Sequence, residues 1–232
     1  RELKMAKAYF VTGTDTSVGK TTVTCALLAA AKAKGLTTLA LKPVASGCDE
    51  TPDGLRNSDA VVLQKAMTVS LSYAEVNPVA LVAPMSPHLA AKAAGRRLTL
   101  MQISGFCRGA MLHKADLYLI EGAGGWRVPI SDRELLSGLP KQLGLPVILV
   151  VGVRLGCINH AILTAEAILK DGVRLAGWVA NIIEPDLLDV EGNLQTLAAM
   201  LPAPCLGVLP WAPDATAEQH AEHLDLAVLL PG

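Results

Sequence analysis

Short runs of aliphatic and β-branched residues recur along the chain and alternate with stretches of helical apolar spacing. The short runs are almost continuously apolar, which is typical of parallel strands covered on both faces. Six runs are predicted as strands, over Ala8–Thr12, Thr37–Leu41, Asp116–Ile120, Val147–Val151, Leu175–Asn181 and Cys205–Leu209. The helical spacing predicts helices over Lys20–Lys34, Ser58–Met67, Met101–His113, Ile158–Asp171 and Asp189–Leu201.

The alternation of strands and helices predicts an α/β fold with a doubly wound, mostly parallel sheet of about seven strands and helices on both faces. Gly35 and Gly172 follow two predicted helices, where a left-handed residue commonly ends a helix. Residues 47–57 are polar and turn-rich, so we expect a surface loop there. Gly138 and Pro140 interrupt residues 131–144, so we expect only broken helix in that stretch.

The domain organisation that we expect is simple. No internal repeat and no linker divides the 232 residues, so one domain is predicted over residues 1–232. Residues 1–7 are expected to be a disordered or expression-derived extension outside the fold. The composition, 51% hydrophobic and 18% charged, provides enough apolar material for one sizeable core.

Charge and cysteine content argue against several classes of function. A net charge of −1 gives no general attraction to nucleic acid or to an anionic membrane, and only 3% of the residues are aromatic. No apolar run reaches the roughly 18–20 residues that span a bilayer. The five cysteines show no CxxC spacing, which favours reduced thiols over a disulfide framework or a zinc site. We therefore expect a cytoplasmic protein in which phosphate is bound by a local group of residues rather than by an overall positive charge.

A glycine-containing loop connects the first predicted strand to the first predicted helix. It starts at Gly13 and ends in Gly19-Lys20-Thr21 at the helix start. Backbone N–H groups of such a loop form an anion site, and its glycines allow close approach of phosphate. Lys20 can reach the β- and γ-phosphates, and the Thr21 hydroxyl can bind Mg²⁺. A chance Gly-Lys-Thr is the alternative, but the strand-loop-helix context favours a P-loop of the NTPase type that binds ATP.

The spacing of this loop is unusual. Gly13 precedes Gly19 by six positions, which gives Gly-x5-Gly-Lys-Thr, one residue longer than the common Gly-x4-Gly-Lys-Thr. The extra residue narrows the family to which the loop can belong and leaves the phosphate-binding interpretation intact.

Two carboxylates are candidates for binding a metal beside Thr21, because Mg²⁺ prefers hard oxygen ligands. Glu121 ends a buried predicted strand and is followed by a Gly-Ala-Gly-Gly turn, a position at the carboxyl edge of the predicted sheet. Asp59 lies at a predicted helix start, and taken alone it is better interpreted as a helix-capping carboxylate.

Seven stretches, in one order, resemble the dethiobiotin synthetase family. They are Val11-Thr-Gly-Thr-Asp-Thr-Ser-Val-Gly-Lys-Thr21, Lys42-Pro-Val-Ala-Ser-Gly47, Arg56-Asn-Ser-Asp59, Ser86-Pro-His88, Glu121-Gly-Ala-Gly-Gly125, Gly152-Val-Arg-Leu-Gly-Cys-Ile-Asn-His160 and Gly177-Trp-Val-Ala-Asn181. The resemblance extends from about residue 9 to residue 229. The loop is shared with many ATPases, whereas the second and sixth stretches are far more specific.

The resemblance implies an enzyme of biotin biosynthesis, a ligase that forms C–N bonds. In this family 7,8-diaminononanoate, CO₂ and ATP give dethiobiotin, ADP and phosphate. The N7 amine takes up CO₂ as a carbamate, the carbamate oxygen attacks the γ-phosphate, and the N8 amine closes the ring on the carbamic-phosphoric anhydride.

The resemblance also implies roles for particular residues. Lys42, Lys20 and Thr16 match the catalytic residues, Ser46 matches a substrate contact, and Thr21, Asp59 and Glu121 match the Mg²⁺ ligands. The start of the helix near Ile158 matches the element that binds the substrate's carboxylate across a homodimer interface, through Cys157, Ile158 and Asn159. Asn181 matches the residue that reads adenine. The nucleotide-binding set comprises Gly13, Ser17, Val18, Gly19, Lys20, Thr21, Thr22, Asp59, Glu121, Gly122, Ala123, Gly124, Asn181, Pro210, Trp211 and Ala212.

Two positions depart from the family pattern, and other classes of protein compete with it. Ser17 stands where glutamate is usual, and Ile182 where an acidic residue is common. The main alternative is a nucleotide-switch ATPase of the partition or nitrogenase-iron-protein type. Those proteins carry a lysine early in the loop, which Thr12-Gly13-Thr14 lacks. An amide-forming ligase would be expected to add a glutamine-hydrolysing domain, and a simple kinase would leave the stretch that starts at Lys42 without a role.

Overall fold

The computed structural model describes residues 7–230 and shows an α/β architecture. The strands in this range are β1 (Lys7–Gly13), β2 (Thr38–Leu41), β3 (Val44–Ala45), β4 (Asp49–Thr51), β5 (Gly54–Arg56), β6 (Val79–Ala80), β7 (Leu117–Glu121), β8 (Val147–Val153), β9 (Leu175–Ile182) and β10 (Cys205–Leu209). The helices are α1 (Lys20–Ala33), α2 (Ser58–Ala66), α3 (Tyr73–Val76), α4 (Pro87–Ala93), α5 (Leu100–Ala110), α6 (Gly138–Leu143), α7 (Cys157–Lys170), α8 (Val190–Met200) and α9 (Ala217–Ala221).

Six of these strands form one parallel sheet in the order β10-β9-β8-β1-β7-β2. Strands β7 and β8 are buried at every position, as their continuous apolar sequences predicted. From β1 the chain runs through α1 to one edge of the sheet, and from β8 it runs through α7 toward the other edge. Because such crossovers are right-handed, the two helices cover opposite faces. The doubly wound fold is therefore confirmed, although the described sheet has six strands rather than about seven.

The remaining strands belong to two small sheets. Strands β3 and β6 pair in parallel, and β4 and β5 form an antiparallel hairpin inside residues 47–57, which the sequence predicted as a loop. Each of these strands has only two or three residues, too few for a periodic pattern to show. The broken helix expected within residues 131–144 is present as the six-residue α6, which contains Pro140.

The first residues of the described chain and two glycines bear on the predictions. Residues 1–6 of the predicted extension lie outside the described residues, and Lys7, which was assigned to the extension, begins β1. Gly35 and Gly172 have φ angles of 74° and 75°, so both end a helix in the left-handed conformation as expected. None of the helices between residues 7 and 230 combines the length and apolar character that crossing a membrane requires.

The parallel sheet determines where the candidate chemistry lies. The carboxyl ends of parallel strands share one edge, and ligands of such sheets bind outside that edge. Gly13 ends β1, Lys42 follows β2, Glu121 ends β7 and Asn181 is the last residue but one of β9. Residues that are far apart in sequence therefore meet at one side of the molecule.

Candidate active site

The loop between β1 and α1 has the conformation that a phosphate site requires. Gly19 has a φ of 87°, and Ser17 has a φ of 59°, a left-handed conformation that is uncommon outside glycine. A Cβ atom on Gly13 would lie 2.6 Å from the Val18 side chain, so only glycine fits there. The loop folds back on itself through Lys20, whose Nζ donates to the Asp15 carbonyl oxygen at 3.2 Å.

A cavity of about 350 Å³ opens above this loop. It brings together residues from the β1–α1 loop, the segment after β2, the start of α2 and the turn after β7. Its lining comprises Thr16, Ser17, Gly19, Lys20, Thr21, Thr22, Lys42, Ala45, Ser46, Asn57, Asp59, Ala123 and Gly124. Most residues of the predicted catalytic and nucleotide-binding sets thus face one space, and Ala45 and Asn57 join them unpredicted.

Lys42 joins two carboxylates on one wall of this cavity. Its Nζ donates to Asp59 Oδ2 at 2.8 Å and to Glu121 Oε1 at 2.7 Å. Glu121 has no solvent exposure, whereas 44% of the Asp59 side chain is exposed. Thr21 Oγ1 donates to the same Glu121 oxygen at 2.8 Å. Asp59 is therefore more than the helix-capping carboxylate that its sequence position allowed, and the cap of α2 comes from Asn57 instead.

The two lysines of the cavity have pKa values that are shifted in opposite directions. Burial lowers the pKa of Lys42, but the attraction of Glu121 and Asp59 and their hydrogen bonds outweigh burial, so the net pKa is raised. Burial lowers the pKa of Lys20 to about 8, and repulsion from Lys42 adds to that effect against the attraction of the carboxylates. Lys42 is thus stabilised as a cation, whereas Lys20 has no carboxylate partner among residues 7–230.

The donor set fits Mg²⁺ bound together with a nucleotide. Asp59 and Glu121 present hard oxygen atoms that converge on the Lys42 ammonium, and the Thr21 hydroxyl donates to Glu121 Oε1 beside it. Among the described residues no three His, Cys, Asp or Glu side chains cluster as a dedicated metal site. Mg²⁺ is usually bound by one or two carboxylates plus substrate phosphates, and Asp59 and Glu121 are two such carboxylates.

A second cavity of about 170 Å³ lies at the carboxyl end of β9 and is lined by Thr22, Asn181, Ile182, Ile183, Pro210, Trp211, Ala212, Pro213, Ala215 and His220. Its lining contains Asn181, which the family resemblance assigned to adenine, together with Pro210, Trp211 and Ala212 of the predicted nucleotide-binding set. Asn181 Nδ2 donates to the Val18 carbonyl oxygen at 2.9 Å, so Asn181 also fastens β9 to the phosphate loop. Thr22 lines both cavities and connects them.

The start of α7 lies apart from these two cavities. Cys157, Ile158 and Asn159 line neither of them. The helix begins at Cys157, whose side chain is buried, and Gly156 before it is left-handed with a φ of 91°. A link between the regions comes from Arg154, whose Nη2 donates to Asp15 Oδ2 in the phosphate loop at 2.8 Å.

Four contributors to the site were missed by the sequence reasoning: Thr24, Ala45, Asn57 and Arg154. Thr24 Oγ1 lies 3.0 Å from Glu121 Oε2, and this contact was foreseeable in part, because Thr24 follows Thr21 by three residues on the same face of α1.

Gly122 has a different role from its neighbours in the turn. It packs against Phe10, where a Cβ atom would lie 2.9 Å from the ring, and it does not line the cavity.

A parallel sheet, a glycine loop that runs into α1, and Glu121 hydrogen-bonded to Thr21 define a P-loop NTPase. Two solved structures share this fold. They are the MinC:MinD cell division protein complex of Aquifex aeolicus (TM-score 0.58, 15% identity, 94% of this chain and 86% of that chain) and a ParA family ATPase from Chlorobium tepidum (TM-score 0.54, 12% identity, 97% and 93%). At such low identity the likeness concerns the fold alone.

The sequence comparisons are much closer. Residues 7–219 match the family described as AAA domain. The ATP-dependent dethiobiotin synthetase BioD of Cellvibrio japonicus is 55% identical, over 97% of this chain and 98% of that protein. BioD of Marinobacter nauticus is 57% identical over 94% of both, and BioD 1 of Escherichia coli is 50% identical over 97% and 100%. The chain belongs to the ATP-dependent dethiobiotin synthetase family, as its motifs indicated.

Proposed function

We propose that this protein converts 7,8-diaminononanoate, CO₂ and ATP to dethiobiotin, ADP and phosphate. The observation that carries the proposal is the pair of buried lysines, Lys20 and Lys42, that face one cavity beside the phosphate loop. The printed names of the relatives support it, because each is an ATP-dependent dethiobiotin synthetase.

Two anions must come close together in this reaction, and the positive charges of the two lysines reduce their repulsion. A carbamate oxygen approaches a γ-phosphate, and their repulsion is costly unless cations lie between them. Lys42 and Lys20 are both buried, so their charges act where water screens them little. In the proposed mechanism Lys42 holds the carbamate end and Lys20 holds the β- and γ-phosphates. Thr16 and Ser46, which line the same cavity, donate neutral hydrogen bonds to the carbamate and to the substrate.

Mg²⁺ belongs to the proposal as the ion that accompanies ATP. Thr21, Asp59 and Glu121 would hold it, and it would neutralise charge on the phosphate oxygens. Lys42 donates to both of these carboxylates in the structure. The same two carboxylates therefore serve the metal and the orientation of a catalytic lysine.

Nucleotide binding is assigned to both cavities. The phosphates would lie on the loop from Gly13 to Thr22, with the turn at Ala123 and Gly124 opposite. The adenine would occupy the cavity between Asn181 and the segment from Pro210 to Ala212, which Thr22 connects to the phosphate site. Ser17 and Ile182 replace acidic residues of the family pattern, so we assign adenine recognition to Asn181 and to backbone groups.

The substrate's carboxylate is assigned to the start of α7, in the partner subunit of a homodimer. The free N–H groups of a helix N-terminus favour an anion, and we assign this role to the first turn of α7, at Cys157, Ile158 and Asn159, where the Cys157 N–H also donates to the Arg154 carbonyl oxygen at 3.0 Å. Leu155, just before this helix, is 86% exposed, which suits a position covered by a second subunit. We further propose one domain and a cytoplasmic location, where free thiols remain reduced.

The proposal is tested by measuring phosphate release from Mg²⁺–ATP with bicarbonate, with and without diaminononanoate. Release that depends on diaminononanoate, together with dethiobiotin detected by mass spectrometry, is the expected result. Phosphate release at the same rate with and without diaminononanoate would overturn the proposal. Turnover stimulated only by a protein partner would favour the nucleotide-switch alternative.

A further inference from the structure

Glu121 is fully buried, yet its two carboxylate oxygens have different surroundings. Oε1 accepts hydrogen bonds from Thr21 Oγ1 and Lys42 Nζ. Oε2 has one donor among the described residues, the hydroxyl of Thr24 at 3.0 Å. Thr24 is itself fully buried, on the face of α1 that packs against β7. The orientation of this carboxylate is therefore fixed from both sides.

The Thr24 hydroxyl has one proton and two acceptors within reach. Besides Glu121 Oε2 it lies 2.8 Å from the Lys20 carbonyl oxygen, the usual acceptor for a threonine inside a helix. A buried charged oxygen without a donor costs far more than a helical carbonyl that gives up a second bond. The proton is shared between the two acceptors, and Glu121 Oε2 loses more without it, because no other donor to this oxygen lies among the described residues.

We propose that Thr24 is a positioning residue, which orients Glu121 so that Oε1 faces Thr21, Lys42 and the metal bound with the nucleotide. With Thr24 in place, the carboxylate plane cannot rotate without leaving Oε2 unpaired. Without it, rotation about the last side-chain bond costs little. The inference rests on the proposed Mg²⁺ site, but it needs neither carbamate chemistry nor the identity of the substrate.

The direct test compares Thr24→Val, which keeps the shape and loses the hydroxyl, with Thr24→Ser, which keeps the hydroxyl. The measurement is the dissociation constant of Mn²⁺, followed by electron paramagnetic resonance, for the complex of each protein with a non-hydrolysable ATP analogue. We expect Thr24→Val to weaken Mn²⁺ binding about 10-fold. This is the lower end of the loss of metal affinity that follows removal of a hydrogen bond to a metal ligand. Thr24→Ser should bind Mn²⁺ nearly as the unaltered protein does.

The matched control is Thr38→Val. Thr38 is also a fully buried threonine with a hydrogen-bonded hydroxyl, but its partner is Thr68. This variant should leave Mn²⁺ binding unchanged, which separates the effect of any lost buried hydroxyl from the effect on Glu121. If Thr24→Val does not fold, Thr24→Ala replaces it, because the smaller side chain leaves room for a water molecule beside Glu121.

A double-variant cycle tests whether Thr24 acts through Glu121. In a Glu121→Ala background, Thr24→Val should weaken Mn²⁺ binding no further, because its acceptor is gone. An equal loss in both backgrounds would overturn the proposal, as would normal Mn²⁺ binding by Thr24→Val or failure of Thr24→Ser to restore it. If the protein bound Mn²⁺ normally but formed no dethiobiotin, the reaction assignment would fail and the role of Thr24 would stand.

Discussion

Lys20 and Lys42 place the same charge in the same cavity, but their partners differ. Lys42 donates to two carboxylates, one of which is fully buried. Lys20 donates only to a backbone carbonyl among the described residues, and burial and Lys42 lower its pKa to about 8. Removal of Lys42 leaves the Glu121 charge buried without its cation, whereas removal of Lys20 relieves a repulsion.

Lys20→Gln and Lys42→Gln should therefore differ in stability while both lose activity. Each should lower kcat/KM at least about 100-fold, since each cation faces developing charge. Lys42→Gln should also lower the free energy of unfolding by about 3 kcal/mol, in the range for a broken buried ion pair. Lys20→Gln should change it little. Urea denaturation without ligands measures this difference, and equal stability of the two variants would contradict it.

The two carboxylates should also contribute unequally to metal dependence. Glu121 is fully buried and shares an oxygen with Thr21 and Lys42, whereas Asp59 is 44% exposed and screened by water. We expect Glu121→Ala to raise the Mg²⁺ concentration for half-maximal activity about 100-fold, and Asp59→Ala about 10-fold. Mg²⁺ titrations at saturating ATP measure both, and the reverse order would show that Asp59 is the dominant ligand.

At the scale of elements, α9 carries a group that links stability to pH. His220 in α9 is buried and lines the cavity at the end of β9. Burial lowers the pKa of His220, and the neighbouring His223 lowers it further against a hydrogen bond with Ala212. The neutral ring is thus the form that the fold favours. As the pH falls below about 6.5, the unfolded chain takes up this proton first, so stability is lost.

The protein should accordingly unfold at a lower urea concentration at pH 5.5 than at pH 7.5, and His220→Gln should reduce that difference. His223→Gln should preserve most of it, because burial is the larger cause of the lowered pKa. Urea midpoints of the three proteins at the two pH values provide the comparison. An unchanged pH difference in His220→Gln would show that other groups dominate.

The main sheet was predictable from the sequence because its strands are continuous apolar runs. All six strands lie within two residues of their predicted bounds. The polar hairpin β4–β5 and the two-residue strands β3 and β6 carry no periodic pattern, so they were missed. Capping boxes at Ser72 and Thr216 signalled the short helices α3 and α9, but four or five residues are too few for helical spacing to show.

The candidate site was predictable only where a motif names its residue. The loop pattern identified Lys20 and Thr21, and the family resemblance added Lys42 and Asp59. Thr24 belongs to no such pattern, and Arg154 lies in a family stretch without a role assigned to it, because the importance of both lies in contacts with residues 97 and 139 positions away. Contacts of that kind depend on strand order in the sheet, which the pattern of a single chain does not specify.

At the scale of the whole molecule, the loops at the sheet edge are fastened to one another. Arg154, which precedes α7, pairs with Asp15 in the phosphate loop, and Asn181 at the end of β9 donates to the same loop. These two contacts connect the segment before α7 and the end of β9 to the phosphate loop. In the proposed dimer, α7 of each subunit would contact the substrate of the other subunit, so the same segment would be connected to both sites.

A mixed dimer tests whether the site is shared. Lys20→Gln removes a phosphate contact within one subunit, and Asn159→Asp places a negative charge on an exposed residue at the start of α7, where it should repel the substrate's carboxylate. Each variant alone should be nearly inactive. When the two are co-expressed with different tags, the isolated mixed dimer has one site with Lys20 from one subunit and an unaltered α7 from the other.

That mixed dimer should show about half the activity of the unaltered dimer, because one of two symmetric sites is intact. If α7 instead served the site of its own subunit, each site would carry one defect and the mixed dimer would be as inactive as its parents. A monomer by size-exclusion chromatography at assay concentration would contradict the dimer outright. The control is a dimer of two Lys20→Gln subunits that differ only in their tags. It should remain inactive, which shows that co-expression alone restores no activity.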